Sequence, residues 1–307
     1  MAAPSTSSVT WFLSTYWPGP PKLFTAEEGD LMTIEMIADG LGFTEGPTNL
    51  PDGRVAVASV SHGCVYIVDP GGGAPERIDT GGGPNGLCSG SDGSIYVAQN
   101  GGSFGSDVAA EPGVQVIRDG RVDYLAEGMD APNDLMFGPD GKLWVTDTRA
   151  EMELFHPDES KRGWVWAVDR VTGEKDLILD SGPVWINGLG FSPDSTRLLV
   201  TATSPAKLVR YPIGAAGSLD GHAAEVVCTF QRAWPAGMAV RADGASWVAM
   251  TGADRLDLVA ETGEILDAVV LPGGTLPTNV CLGADSADEL LVTASYQQAL
   301  LRIRLPA

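Results

Sequence analysis

Positive charge is scarce in this chain, which has 19 Lys and Arg against 40 Asp and Glu and a formal net charge of -21. A surface this negative repels phosphate backbones and anionic headgroups, so the sequence argues against nucleic acid and membrane partners. No apolar run is long enough to span a bilayer. The first residues also lack the basic start and apolar stretch of a signal peptide, so we expect a cytoplasmic protein.

Cysteine is scarce as well, and no two cysteines are close in sequence. The four are Cys64, Cys88, Cys228 and Cys281. This spacing argues against a zinc knuckle or a Cys-x-x-Cys redox motif. We expect free, buried thiols in a reducing compartment.

Residues 1–32 differ in composition from the rest of the chain. They contain Trp11, Phe12, Tyr16 and Trp17, followed by three prolines. The aromatic residues predict a segment docked on the main domain. The alternative is a contact that joins copies of the chain into a homo-oligomer.

From about residue 33 onward, one sequence phrase recurs six times. Each copy has a Pro or Gly entry, a short apolar strand, a turn that often contains Asp-Gly, and a second strand rich in Val, Tyr or Trp. Asp-Gly between apolar runs indicates a hairpin, because Gly tolerates the positive φ of a tight turn. The copies recur at about 40–50 residues, the period of four-stranded propeller blades. They begin near Glu45, Pro84, Pro132, Ile186, Pro235 and Pro277.

This repeat predicts an all-β fold. We expect residues 33–307 to form a single six-bladed β-propeller domain with four-stranded blades around a central channel. The last strand, at 300–305, is predicted to share a blade with an N-terminal strand near 32–37. That pairing would close the ring and remove its free edges.

One column of the repeat is polar where a packed strand should be apolar. We call these six positions the mouth ring: Glu45, Asn85, Asn133, Asn187, Ala236 and Thr278. Carboxylate and amide oxygens without thiolates or clustered His favour a hard divalent cation such as Ca²⁺ or Mg²⁺. Such a cation polarises a carbonyl or phosphoryl oxygen and lowers the pKa of bound water. The alternative is that Asn is present for turn formation, since it favours loop entries; Glu45 in the same column argues against it, because Glu is not a turn former.

Several phrases in this order resemble the gluconolactonase, regucalcin (senescence marker protein) and luciferin-regenerating enzyme family of six-bladed propellers. They are Glu45-Gly46-Pro47, Pro84-Asn85-Gly86, Pro132-Asn133-Asp134-Leu135 and Asn187-Gly188-Leu189. The resemblance implies a divalent metal at the channel mouth, with Ca²⁺ expected and Mg²⁺ or Zn²⁺ as alternatives. It assigns Glu45 and Asn187 as ligands, and Asn133 as a ligand to metal or substrate. It also implies hydrolysis of a small lactone or ester.

The fifth blade departs from the family pattern. Relatives carry an aspartate here that binds the metal and acts as base or nucleophile, whereas this chain has Ala236. Three accounts compete: a deliberate Asp→Ala variant, a natural relative that lost its metal, and a chain in which another carboxylate took over. The first is favoured because Glu45 and Asn187 survive.

Five further residues are candidates for the site. Asp134 is a candidate base or a group that orients Asn133, with capping of nearby backbone N–H groups as the alternative. Glu151 is the closest positional match to an acidic substrate contact of the relatives, with a solvated loop carboxylate as the favoured alternative. Asn85 is a ring member that faces the substrate. His62 lies on a loop that could reach the mouth and has a pKa range suited to proton transfer; an ordinary exposed loop histidine is the favoured alternative. Trp185 could wall a substrate pocket; packing between blades is its alternative.

The sequence therefore predicts a metal-dependent hydrolase of the lactonase type, inactive or weakened in this form. The alternative is a metal-poor, ligand-binding propeller without hydrolase activity, which Ala236 favours. Metal-independent chemistry of the strictosidine synthase type ranks last, because its glutamate base has no clear counterpart here.

Overall fold

The computed structural model describes residues 32–102, 105–149, 158–231 and 233–306. Apart from Met32, the predicted docked segment lies outside the described residues. Glu151 lies outside them as well. Across the described ranges, no helix is both long enough and apolar enough to cross a bilayer.

The described residues form six four-stranded antiparallel sheets, as the repeat predicts. Blades 1 to 3 comprise, in order, β2 (Thr44–Asn49), β3 (Val55–Ser59), β4 (Cys64–Val68), β5 (Glu76–Asp79); β6 (Pro84–Ser89), β7 (Ile95–Gln99), β8 (Gly113–Arg118), β9 (Arg121–Glu127); β10 (Pro132–Phe137), β11 (Leu143–Asp147), β12 (Gly163–Val168), β13 (Lys175–Gly182). Blades 4 to 6 comprise β14 (Ile186–Phe191), β15 (Arg197–Ala202), β16 (Lys207–Pro212), β17 (Glu225–Thr229); β18 (Pro235–Val240), β19 (Ser246–Met250), β20 (Arg255–Val259), β21 (Ile265–Val270); β22 (Pro277–Leu282), β23 (Glu289–Ala294), β24 (Ala299–Arg304), β1 (Thr33–Ala38). Single 3-10 turns occupy Ala215–Gly217, Gly221–Ala223 and Thr251–Ala253.

The N-terminal strand closes the ring. β1 is the outer strand of blade 6, and Thr33 pairs with Arg304. The closure predicted from the sequence is therefore confirmed. Because β1 leads directly into β2 of blade 1, blades 6 and 1 cannot separate without breaking the ladder between β1 and β24.

The Asp-Gly turns fold as the sequence predicts. In blade 1, Gly53 has φ +86°, a conformation that favours glycine. The Asp52 carboxylate accepts the Arg54 N–H at 3.0 Å and fixes the turn. The same contact recurs in the next four blades, through Asp92, Asp140, Asp194 and Asp243.

The hydrophobic core is divided among the contacts between blades. Six clusters of buried side chains each draw on two neighbouring blades. Trp144 packs between blades 3 and 4, and Trp247 between blades 5 and 6, both almost fully buried. Because each blade is held by its neighbours, the inner strands are fixed around the axis.

A β-bulge recurs in all six inner strands. In each blade, the register against the second strand shifts just after the strand begins, as between Pro132 and Leu135. A bulge breaks the alternation of side chains, so two consecutive residues can face the same way. Here those two are the mouth-ring residue and the residue after it.

Candidate functional site

The mouth ring lies at one level around the channel. Every blade has four strands, so all six inner strands run in the same direction and begin at the same end of the channel. We call this end the mouth. The side chains of the ring are buried, with exposed fractions of 9% or less. The repeat column therefore becomes a ring of inward positions in space.

A second ring lies one residue further along each strand. Its members are Gly46, Gly86, Asp134, Gly188, Gly237 and Asn279. Asp134 and Asn279 line the channel beyond the mouth. Two of the four glycines leave room for these side chains, since a Cβ at Gly86 would meet Asp134 and one at Gly237 would meet Asn279.

Glu45 is the only charged member of the mouth ring and is 6% exposed. Burial, together with the nearby Asp134 carboxylate, raises the pKa of Glu45 to about 8. The Gly46 N–H and the Asn279 side chain oppose this shift as hydrogen-bond donors. A cation beside Glu45 would favour its ionised form for the same electrostatic reason.

Asp134 lies within the channel wall, where its carboxylate is hydrogen-bonded to the backbone of two blades. Its carboxylate accepts the Leu135 N–H at 2.9 Å and also the Leu189 N–H of the next blade. Burial raises its pKa, and these bonds and Asn279 lower it; the resulting pKa is about 7. Capping of backbone N–H groups is thus present in the structure. A role in catalysis stays a prediction.

The three asparagines of the mouth ring differ in their partners. The Asn187 Nδ2 donates to Thr203 Oγ1 at 3.1 Å, which fixes the orientation of its amide and leaves its oxygen for the channel. The Asn85 Oδ1 is buried without a hydrogen-bond partner. Such an atom normally has a partner in proteins, so it indicates a site that a ligand or cation completes. Asn133 is 9% exposed.

Blades 5 and 6 contribute no side-chain ligand to the ring. Ala236 supplies a buried methyl group. The Thr278 hydroxyl, counted among the polar ring residues from sequence, bonds Thr44 O at 2.7 Å and the hydroxyls of Thr293 and Ser295. Thr278 thus ties blade 6 to blade 1 at the closure of the propeller.

Two further predicted site residues, His62 and Trp185, lie on loops between strands. The His62 Nδ1 lies 3.0 Å from the Tyr66 hydroxyl, and its ring lies beside Gly42 rather than beside the mouth ring. Partial burial, with the charge of Arg77, lowers the pKa of His62. Trp185 has φ +56° just before β14, an unusual conformation for a bulky residue and one that concentrates at functional sites.

Asp147, another carboxylate near the blade-three strand, has a structural role. It accepts N–H bonds from Asp130, Ala131 and Arg149, and also from the Trp166 indole. These bonds order the loop that leads into β10. Because these bonds occupy the Asp147 carboxylate, Asp147 adds no free carboxylate to the mouth.

From the second ring onward, the channel encloses a cavity of about 290 Å³. Its walls are mainly apolar, and Asp134 and Asn279 are the carboxylate and amide among them. Cys88 and Cys281 also line it as half-buried free thiols, and burial raises their pKa values to about 11 and about 12. The channel is thus polar at its mouth and apolar at its far end.

Sequence reasoning missed Asn279. It considered a single column, because alternation along a strand places every second residue on the axis. The signal was present in the next column, where four glycines accompany only Asp134 and Asn279.

Known proteins resemble the chain over most of its length. The family described as SMP-30/Gluconolactonase/LRE-like region matches residues 43–296. A gluconolactonase of Zymomonas mobilis subsp. mobilis is 27% identical over 88% of this chain and 81% of its own length. A 6-deoxy-6-sulfogluconolactonase of Pseudomonas putida is 28% identical over 66% of this chain and 63% of its own.

Solved structures share the fold. The calcium-binding protein regucalcin from Agrobacterium tumefaciens superposes with a TM-score of 0.72 at 19% identity, covering 88% of this chain and 93% of that one. The resemblance predicted from the sequence phrases is confirmed by the family match. This chain belongs to the SMP-30/Gluconolactonase/LRE-like family of six-bladed β-propellers.

Proposed function

We propose that this protein opens the ring of a small sugar lactone at the channel mouth, with a divalent cation held by Glu45, Asn133 and Asn187. The observation that carries the proposal is the ring itself. Four consecutive blades place only oxygen-bearing side chains at one buried level, and the Asn85 oxygen has no partner there. The names of the gluconolactonase and sulfogluconolactonase relatives support a sugar lactone as substrate.

The donor set fits a hard cation. Within the described ranges, no three His, Cys, Asp or Glu side chains form a metal cluster, so amide oxygens must complement Glu45. Carboxylate with amide oxygens suits Ca²⁺, and Mg²⁺ or Zn²⁺ are the alternatives. When bound, the cation would polarise the lactone carbonyl. Asn187, fixed by Thr203, would keep its oxygen on the cation.

The other ring residues bind substrate and move a proton in this proposal. Asn85 would bind a lactone hydroxyl through its free amide oxygen. Asp134 would accept a proton, because a carboxylate with a pKa of about 7 suits a base at neutral pH. It lies one level inside the ring, so the proton would reach it through Glu45 or a water molecule. Glu151, His62 and Trp185 remain candidate substrate contacts.

Ala236 weakens the site in this proposal. Ligand charge tunes Ca²⁺ affinity, and blade 5 adds no charge to the mouth. The alternative function is a ligand-binding propeller without hydrolase activity. The specific observation in its favour is that blades 5 and 6 give no side-chain ligand.

The test compares the chain with its Ala236→Asp variant. We expect the variant to bind Ca²⁺ at least about 10-fold more tightly in calorimetric titration, through its second carboxylate. We also expect faster hydrolysis of gluconolactone, lost when a chelator is added. Ala268→Asp, exposed on the outer strand of the same blade, is the matched control. No hydrolysis of any sugar lactone by the chain or by its Ala236→Asp variant would favour the binding alternative.

A further inference from the structure

The residue that follows the second strand occupies the same place in every blade, and we call it the latch residue. Its backbone N–H donates to the carbonyl just before the inner strand of its own blade, as the Thr203 N–H does to Trp185 O at 2.9 Å. The six latch residues are Val60, Asn100, Thr148, Thr203, Thr251 and Ser295. The backbone therefore holds each latch residue at the mouth end of its blade.

Four latch residues carry a hydroxyl group that reaches the next blade. In each case the acceptor is the carbonyl of the residue just before a mouth-ring position. The bonds run from Thr148 to Ile186 O at 2.7 Å, from Thr203 to Pro235 O at 2.8 Å, from Thr251 to Pro277 O at 2.8 Å, and from Ser295 to Thr44 O. Each hydroxyl thus ties the entry of an inner strand to the neighbouring blade.

Thr203 has a second contact, with an amide of the mouth ring. Its Oγ1 accepts the Asn187 Nδ2 group at 3.1 Å, and both side chains are buried. A hydroxyl has a single proton, and here that proton goes to Pro235 O. Thr203 therefore presents only lone pairs to Asn187, and the nitrogen end of the amide must face it. The Asn187 Oδ1 lies on the opposite side of the amide.

Blade 5 determines this orientation through its backbone. The Pro235 carbonyl takes the Thr203 proton, and the Ala236 carbonyl takes the proton of Thr201 in the same way. Thr201 Oγ1 in turn accepts the N–H of Gly188, the residue after Asn187, at 2.9 Å. The blade that gives no side-chain ligand to the mouth ring thus orients a residue of blade 4.

We propose that Thr203 is a positioning residue that directs the Asn187 amide oxygen towards the cation. The inference rests on the proposed function, in which Asn187 is a ligand. Without the Thr203 hydroxyl, the Nδ2 group loses its acceptor, and either end of the amide can face the channel. An Nδ2 group that faces the cation repels it, because an amide nitrogen only donates. Partners that orient metal ligands typically change metal affinity by about 10- to 100-fold.

The experiment measures Ca²⁺ affinity by calorimetry in the full chain. Thr203→Val replaces the hydroxyl by a methyl group, and we expect it to weaken Ca²⁺ binding about 10-fold. Thr203→Ser keeps the hydroxyl and should restore the affinity to within about twofold. Thermal melting in chelator checks that each variant is folded.

Thr251→Val is the matched control. Thr251 makes the same bond to the next blade, but its acceptor, Pro277 O, precedes Thr278, which is no ligand in the proposed site. The control should change the affinity less than about twofold, because it removes a latch without releasing a ligand. Equal losses from Thr203→Val and Thr251→Val would assign the effect to the latches in general and overturn the proposal.

A second background tests whether Thr203 acts through Asn187. When Asn187→Ala is already present, Thr203→Val should cause no further loss of affinity, because the amide that it orients is gone. A further loss of about 10-fold in that background would overturn the proposal. Should Thr203→Val fail to fold, Thr203→Ala removes the same hydroxyl, and the same outcomes are expected of it.

The outcomes also separate this inference from the proposed function. A chain that binds Ca²⁺ and opens lactones, but whose affinity is unchanged in Thr203→Val or Thr203→Ala, overturns the role of Thr203 alone. A chain that binds no Ca²⁺ at millimolar concentration overturns the cation site and the positioning role together.

Discussion

The two parts of the mouth ring share a backbone but differ in chemistry. In blades 1 to 4 the ring position carries Glu45 and three asparagines, whereas blades 5 and 6 carry Ala236 and a threonine that binds the neighbouring blade. All six positions are buried, and each lies at the bulge near the start of its own inner strand. A propeller blade thus fixes where a side chain points, while the residue type decides whether that position offers an oxygen to the channel or holds the ring closed.

The largest effect should come from replacing Glu45, the one charged residue of the mouth ring. Glu45→Gln keeps the shape of the side chain but removes the only carboxylate of the mouth ring. We expect a loss of more than about 100-fold in Ca²⁺ affinity and lactonase rate, because ligand charge dominates affinity for a hard cation. Titration calorimetry and a lactone hydrolysis assay measure both.

The control for this change is Glu35→Gln. Glu35 is half-exposed on β1 and pairs with Arg302 at 2.7 Å on the outer edge of blade 6. It should leave Ca²⁺ affinity and rate unchanged. Equal losses from both substitutions would mean that overall charge, rather than the ring, governs the site.

A paired substitution tests the difference between the two parts directly. Asn187→Ala should weaken Ca²⁺ binding about 10- to 100-fold with little change in melting temperature. Thr278→Val should do the reverse, since it removes a buried hydroxyl from the closure network and costs about 1–3 kcal/mol of stability. Calorimetry and denaturant unfolding distinguish them. The same pattern of effects from both variants would contradict the division of the ring.

The smallest effect concerns the boundary between the two parts of the ring, where blade 4 meets blade 5. An added Cβ at Gly188 would lie 2.8 Å from Ala236 O and 2.8 Å from the Gly237 Cα, both backbone atoms. Gly188→Ala should therefore destabilise the chain by about 1–3 kcal/mol through overpacking. Gly273→Ala, where a Cβ meets nothing within 4 Å, is the control and should be near neutral. Equal denaturation midpoints for the two variants would show that the boundary can relax.

Local patterns made most of the fold predictable. The Asp-Gly turns depend on residues adjacent in sequence, and the strands show short Val-rich runs that need no partner to be recognised. The closing strand was predictable because six copies left one blade short by a strand. The family followed from phrases such as Pro132-Asn133-Asp134-Leu135, which lie at inner-strand entries.

The site was only partly predictable because its contacts join distant residues. Thr146 shows why: its hydroxyl accepts the Asp134 N–H at 3.0 Å and donates to Asn187 O of the next blade at 2.5 Å. Thr201 repeats the arrangement between Gly188 and Ala236. These threonines sit at the ends of second strands, where sequence shows only the residues of an ordinary β-strand.

By itself, the sequence determined the number of blades, the turns, the closure and the column that carries Glu45, because each is written in residues that repeat at a fixed spacing. Only the tertiary structure decided that a bulge turns the next residue towards the axis as well. Asp134 and Asn279 therefore line the channel, while the Thr278 hydroxyl bonds the neighbouring blade at the closure. Hydrogen bonds between blades select these orientations, and they exist only after the ring has closed.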